Sequence, residues 1–167
     1  MPNNSSKNQS GIILKAWLIA GTIDICCAML YTLIKSGANP LNVLAFVGKF
    51  ALGKEILSPT VLQNFALMCF VGLIVHYSIA FVWTIIFYYA WPKIKLLQGN
   101  LIVGGILYGA FVSLIMNFVV LPFRNMRYPI YVWKNVAIQT GILMIAIGIP
   151  LSLIIGNYYR KKESTTH

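Results

Sequence analysis

The sequence predicts an all-α, polytopic membrane protein with four transmembrane helices and one short interfacial or re-entrant helix. Hydrophobic residues make up 59% of the 167 residues, and charged residues only 10%. Soluble domains usually carry about 25% charged residues. Four apolar runs reach the roughly 20 residues that a helix needs to cross a bilayer. They are residues 12–34, 65–90, 101–121 and 136–158, and they leave no room for a soluble domain beside them.

Basic residues far outnumber acidic ones in this chain. Lys and Arg together number 13 and Asp and Glu 3, which gives a formal net charge of +10. Most of these cations stand at the ends of the apolar runs, where such residues contact anionic lipid head groups. The lipid bilayer is therefore the expected partner, and nucleic acid is not. A homo-oligomer or a membrane partner protein stays open.

The chain begins with a polar tail and a long helix. Residues 1–10 are rich in Asn and Ser and predict a disordered N-terminal tail. A four-helix transmembrane bundle is expected over residues 11–159, and its first helix should begin near Gly11 and end around Lys35. Residues 40–53 are apolar but too few to cross a bilayer, so they predict the interfacial or re-entrant helix.

Prolines bound the remaining helices. The second transmembrane helix is predicted from Pro59 to Trp91, because proline suits the first helical position and another proline follows Trp91. The third helix should stop at Pro122. The fourth is expected to kink at Pro150 and to end in a basic tail over residues 160–167.

Four spans place both termini on one side of the membrane. Lys and Arg are slightly more numerous on that side than on the other. The positive-inside rule therefore favours cytoplasmic termini.

Small side chains recur at intervals of four residues on every predicted span. Gly72 on the second helix and Gly105 and Gly109 on the third belong to such stripes. Residues four apart lie on one face of a helix, and small residues there let helices pack closely in lipid. We interpret the stripes first as packing surfaces of the bundle.

Polar residues interrupt the same stripes. Asp24, His76 and Asn117 lie within apolar runs, and Ser113 precedes Asn117 by one turn. A charged side chain at mid-bilayer costs ~2.5–3.5 kcal/mol, so these residues should face protein rather than lipid. Asp24, His76 and Asn117 are displaced from mid-span toward the loop at residues 35–59. The sequence therefore predicts one intramembrane polar cluster.

Two kinds of chemistry fit this cluster. Apolar burial favours the neutral forms of a carboxyl and an imidazole, whereas close pairing favours the charged forms of both. The balance decides whether Asp24 and His76 form a structural lock or a pair that handles protons or a small solute. A structural lock is the plainer interpretation.

Catalysis and cofactor binding find little support in the residues. One membrane His, one membrane Asp and three cysteines in apolar runs do not make a nucleophile-and-base set or a metal shell. No metal site, cofactor or enzymatic activity is expected, and a haem would need a second axial His. The candidates for contact with lipid head groups are Arg124, Arg127, Lys93 and Lys95.

Three stretches of the chain are similar to a known family. They are residues 92–96 (Pro-Lys-Ile-Lys-Leu) followed by Gln98-Gly99, the aromatic run 77–81, and residues 118–122. Together they resemble the YagU-like family of uncharacterised bacterial inner-membrane proteins. The resemblance covers most of residues 11–125 and implies a multi-pass protein of the bacterial inner (plasma) membrane.

The sequence thus predicts a non-enzymatic inner-membrane protein whose Asp/His/Asn cluster is structural or handles protons or a small solute. An alternative is an accessory subunit of a membrane complex, whose partner would grip the Gly105/Gly109 stripe. Another is a membrane protein that binds a lipid or a cofactor near His76.

Overall fold

The computed structural model describes residues 4–56, 59–120 and 133–164, and within these ranges it contains helices and no strands. The helices are α1 (Asn4–Ser36), α2 (Asn42–Ile56), α3 (Pro59–Leu62), α4 (Phe65–Ala90), α5 (Lys95–Gly99), α6 (Leu101–Val120) and α7 (Trp133–Ser164). Helices α1, α4, α6 and α7 are long and apolar enough to cross a membrane. The predicted all-α fold, with four such helices and a shorter one, is confirmed. The chain is a multi-pass membrane protein by helix length and composition.

Helix boundaries differ from the predicted ones at three places. Helix α1 begins at Asn4, because each residue added to an existing helix gains a hydrogen bond, even in a polar segment. The helix predicted to run on from Pro59 is divided into α3 and α4 at Asn64. The Asn64 side chain accepts a hydrogen bond from the Leu67 N–H (3.1 Å) and so caps the start of α4. Helix α7 continues through the basic residues to Ser164.

The short helix α2 packs along the first half of α4. Gly48 and Gly72 are both buried at this crossing. A Cβ atom on Gly72 would overlap the carbonyl oxygen of Leu44, and one on Gly48 would overlap the carbonyl oxygen of Met68. The two backbones are therefore in direct contact. The turn into α2 uses Gly37 at φ 60°, a region that favours glycine.

Helices α6 and α7 cross equally closely. A Cβ atom on Gly105 would lie 2.7 Å from the carbonyl oxygen of Gly148, and one on Gly109 would lie 2.5 Å from Cα of Met144. The predicted Gly105/Gly109 stripe is thus covered by α7 of the same chain. The expectation that a partner protein grips this stripe is wrong, because no surface is left there.

Both α6 and α7 contain wider helical turns. Helix α6 is π-helical over Met116–Val120, and α7 is π-helical over Met144–Gly148 and Ser152–Gly156. The two segments of α7 flank Pro150, the position of the predicted kink. Proline lacks an N–H and crowds the carbonyl one turn before it, and wider turns relieve that conflict.

Aromatic side chains close the end of the bundle at which α1 begins and α7 finishes. Phe87 is fully buried and Trp91 is 2% exposed. The Tyr159 hydroxyl donates to the Tyr88 carbonyl (3.2 Å). Nη2 of Arg160 donates to two carbonyl oxygens at the end of α5 (2.8 and 3.0 Å). This half of the bundle is tightly packed.

Candidate functional site

The opposite half of the bundle holds a cavity of about 430 Å³. All four long helices and α2 contribute to its lining, which is mostly apolar and aromatic. Its polar lining residues are Asp24, Tyr31, Thr32, Asn42, His76, Asn117 and Gln139. Cavities of roughly 300–1,000 Å³ with a few polar groups are typical small-molecule sites.

The structure brings the predicted polar residues to one part of the bundle. Asp24 on α1, His76 on α4 and Asn117 on α6 all line the cavity. Ser113 is buried one turn before Asn117 and lies behind the lining, hydrogen-bonded to Asn117. The cavity lies on the side of the bundle that faces the α1–α4 connection, as the positions of these residues along their helices predict.

His76 joins α4 to α1. Its Nε2 lies 2.9 Å from the carbonyl oxygen of Gly21. Because a carbonyl only accepts, Nε2 carries the hydrogen and donates it. The ring packs edge-on against Tyr77, with centroids 5.5 Å apart. Among the described residues, nothing hydrogen-bonds to the other ring nitrogen, Nδ1.

The same helix interface carries two further polar contacts that the sequence did not reveal. The Trp17 indole Nε1–H donates to the Tyr77 carbonyl (2.7 Å). The hydroxyls of Thr22 and Tyr77 lie 2.8 Å apart, with either one donating. These contacts hold α1 against α4 beside His76 and fix where the imidazole ring stands.

Asp24 lies one turn beyond Gly21 on α1 and is half-buried. Asp24 and His76 line the same cavity, but no ion pair within 4.0 Å joins the two side chains. No donor in residues 4–56, 59–120 or 133–164 hydrogen-bonds to the Asp24 carboxylate. A carboxylate removed from water needs hydrogen bonds, an opposite charge or a proton. The cavity beside Asp24 is where such a partner can bind.

Asn117 belongs to a chain of hydrogen bonds that links α6 to α7. Its Nδ2 donates to the Ser113 carbonyl (2.9 Å) and hydroxyl (3.2 Å). The Ser113 and Thr140 hydroxyls lie 2.7 Å apart, and Thr140 donates to the Val136 carbonyl (2.8 Å). Because the Thr140 hydrogen is already used, Ser113 donates to Thr140. The sequence did not point to Thr140.

We expect the Ser113–Thr140 bond to stabilise the fold by about 0.6 kcal/mol, the mean for interhelical hydrogen bonds in membranes. A double-mutant cycle with Ser113→Ala and Thr140→Val, measured by denaturant titration in mixed micelles, gives this coupling. A second cycle pairs Ser113→Ala with Thr32→Val. Thr32 is chosen because its hydroxyl donates to the Ala28 carbonyl of its own helix. That control should give no coupling. Equal coupling energies in the two cycles would contradict the assignment.

Aromatic residues that the sequence did not mark complete the cavity. Phe46 and Phe50 come from α2, Trp83 from α4 and Tyr31 from α1. The Tyr31 hydroxyl is buried and has no hydrogen-bond partner in the described part of the chain. Sequence reasoning missed the two phenylalanines because α2 was predicted only as an interfacial or re-entrant helix, and nothing in its composition indicates that it covers a cavity.

Among the predicted lipid-contacting residues, Lys93 and Lys95 are exposed at the closed end of the bundle. Arg124 and Arg127 lie outside the described residues. In the part of the chain that the structure describes, no three His, Cys, Asp or Glu side chains come together to hold a metal ion.

Comparison with known proteins gives no match to any protein-family model, any curated protein or any solved structure. Its four long apolar helices and the cavity between them describe a multi-pass membrane protein with polar side chains lining a cavity in one half of the bundle.

Proposed function

We propose that this chain is a non-enzymatic membrane protein that holds a small solute in its cavity and exchanges a proton at Asp24 and His76. One observation carries the proposal: Asp24 and His76 line the same cavity, and no described residue hydrogen-bonds to the Asp24 carboxylate or to Nδ1 of His76. Buried ionisable groups in membrane helices commonly mark solute or proton pathways.

The shape of the bundle favours transfer of a proton or solute by rearrangement of the helices over transfer through an open channel. The half that holds the ends of α4 and α7 is filled by buried aromatic side chains such as Phe87 and Trp91. The cavity lies in the other half. Beyond Asp24, a solute is therefore blocked by the packed aromatic half of the bundle. Its onward movement requires the helices to rearrange.

The membrane we propose is the bacterial inner membrane, with both termini in the cytoplasm. Two features support this location: the resemblance of residues 11–125 to the YagU-like family, and the slight excess of Lys and Arg on the side of the termini. Exposed Lys93 and Lys95 on that side would then contact anionic head groups of the inner leaflet.

Proton movement in liposomes tests the proposal. A pH step is imposed across proteoliposomes, and the internal pH is followed with a trapped dye. We expect wild-type protein to dissipate the step, and Asp24→Asn and His76→Ala each to slow this by about tenfold or more, as for loss of a proton-transferring group. Ser78→Ala is the matched control on α4, because the Ser78 hydroxyl is exposed and bonds only within its helix. It should behave as wild type.

A structural lock is the second candidate function, and the hydrogen bond from His76 Nε2 to the Gly21 carbonyl favours it. A lock predicts that His76→Ala lowers the melting temperature while proton movement is absent or unchanged in all variants. Retained folding together with lost proton movement in Asp24→Asn would exclude the lock as the whole role of the pair.

A further inference from the structure

Resting on the proposed function, we propose that the solute is an amphipathic organic amine. Its ammonium group would bind the Asp24 carboxylate, and its aromatic or aliphatic body would lie among the aromatic side chains of α1, α2 and α4. Three independent properties of the cavity lead to this class: its charge, its aromatic lining and its size.

The charge of the lining favours a cation. Among the described lining residues, Asp24 is the only carboxylate and none is Lys or Arg. No described donor satisfies the carboxylate, and the Nε2–H of His76 is already given to Gly21. A ligand with N–H donors and a positive charge meets this deficit. An anionic ligand would add a second unpaired negative charge to an apolar enclosure.

The aromatic side chains suit both ends of such a ligand. Phe46 and Phe50 of α2 and Trp83 of α4 line the same cavity as Asp24. Tyr31 of α1 adds a fourth ring, whose face is already taken by the Lys35 ammonium, 5.3 Å from the ring centroid. Phe46 and Phe50 stack with ring centroids 6.5 Å apart. Aromatic faces attract ammonium groups and also bury apolar carbon.

The size of the cavity and one further polar atom narrow the range of amines that would fit. A volume of about 430 Å³ accommodates a ligand with an aromatic ring and a short alkyl chain, and is larger than a metal ion or an inorganic cation needs. The buried Tyr31 hydroxyl has no hydrogen-bond partner among the described residues and lies on α1 two turns beyond Asp24. It can bind a polar group on the ligand body.

Three probes with the same body and different charge test the inference. They are 4-phenylbutylamine, 4-phenylbutanol and 4-phenylbutyrate, and their equilibrium binding is measured on the full chain in phosphatidylcholine nanodiscs at neutral pH. Empty nanodiscs give the lipid background. We expect the amine to bind about tenfold more tightly than the alcohol, as for one desolvated charge-assisted contact, and the butyrate to show no saturable binding.

Variants assign the preference to named residues. Asp24→Asn should weaken amine binding about tenfold, to the level of the alcohol, and leave alcohol binding unchanged. Phe46→Leu should weaken the amine severalfold while the cavity stays apolar. Cys26→Ser is the matched control beside Asp24, because Cys26 is exposed and does not line the cavity.

Any of four results would overturn the proposal that the solute is an amine. They are equal affinity for the amine and the alcohol, tighter binding of the butyrate, no saturable binding of any probe, and full amine binding by Asp24→Asn. These outcomes are separate from the liposome result. Proton movement without amine preference overturns this inference alone, whereas amine preference without proton movement supports it and removes proton exchange from the proposed function.

Discussion

Replacing Gly148 with alanine should destabilise the bundle by about 3 kcal/mol, at the upper end of the usual cost of overpacking. A Cβ atom at Gly148 would overlap the carbonyl oxygen of Gly105 and would lie 3.1 Å from the amide nitrogen of Gly109. These atoms belong to the backbone of α6, which cannot move aside as a flexible side chain can. The two helices must therefore separate along their length.

Gly141 provides the control on the same helix. An added Cβ atom there meets nothing within 4 Å, so Gly141→Ala should not destabilise the protein and should raise the unfolding free energy by up to about 1 kcal/mol through the higher helix propensity of alanine. Denaturant titration of both variants in mixed micelles measures the difference. Equal stabilities for Gly148→Ala and Gly141→Ala would show that α6 and α7 do not cross at this glycine.

The transmembrane helices could be predicted from the sequence because span length and hydropathy are local properties. The run at residues 65–90 coincides with α4, since the polar Asn64 before it and the proline after Trp91 both stop the helix. Helix α2 was predicted for the same local reasons. The exact position of α2 could not be predicted, because a dozen apolar residues suit a membrane surface and a helix-lined cavity equally well.

Helix partners were harder to predict than helix faces. The stripe containing Gly105 and Gly109 correctly indicates a face for close packing, but small residues occur on every span, so the pattern does not say which helices meet. The structure pairs Gly105 with Gly148 and Gly72 with Gly48. Gly48 lies on α2, where no stripe drew attention to it.

The polar side chains of the site were visible in the sequence for an energetic reason. Asp24, His76 and Asn117 are costly within apolar runs and therefore point to a protein-lined interior. Trp17 and Thr140 carry equally specific hydrogen bonds but are ordinary residues of a membrane helix. Their roles depend on the carbonyl or hydroxyl of a neighbouring helix, which only the tertiary structure supplies.

Replacing Gly72 with valine should displace α2 from α4 and open the cavity. The added carbons would overlap the backbone at Leu44, so α2 cannot keep its present position. Helix α2 supplies Phe46 and Phe50 to the cavity lining. Binding of 4-phenylbutylamine should therefore fall by about tenfold or more, because the ligand loses one aromatic wall.

The native thiol of Cys69 reports the position of α2 directly. Its Sγ lies 3.5 Å from the Leu41 carbonyl oxygen, just before α2 begins, so α2 stands over one side of the thiol. With Cys26 and Cys27 changed to serine, a water-soluble maleimide should label Cys69 about tenfold faster in Gly72→Val than in the parent, because thiol reactivity depends on access. Gly11→Val is the control, since a Cβ atom there meets nothing within 4 Å. The opposite outcome is a folded Gly72→Val protein that is labelled at the parental rate and binds the amine with the parental affinity. That result would contradict the packing of α2 against Gly72, and with it the assignment of Phe46 and Phe50 to the cavity wall.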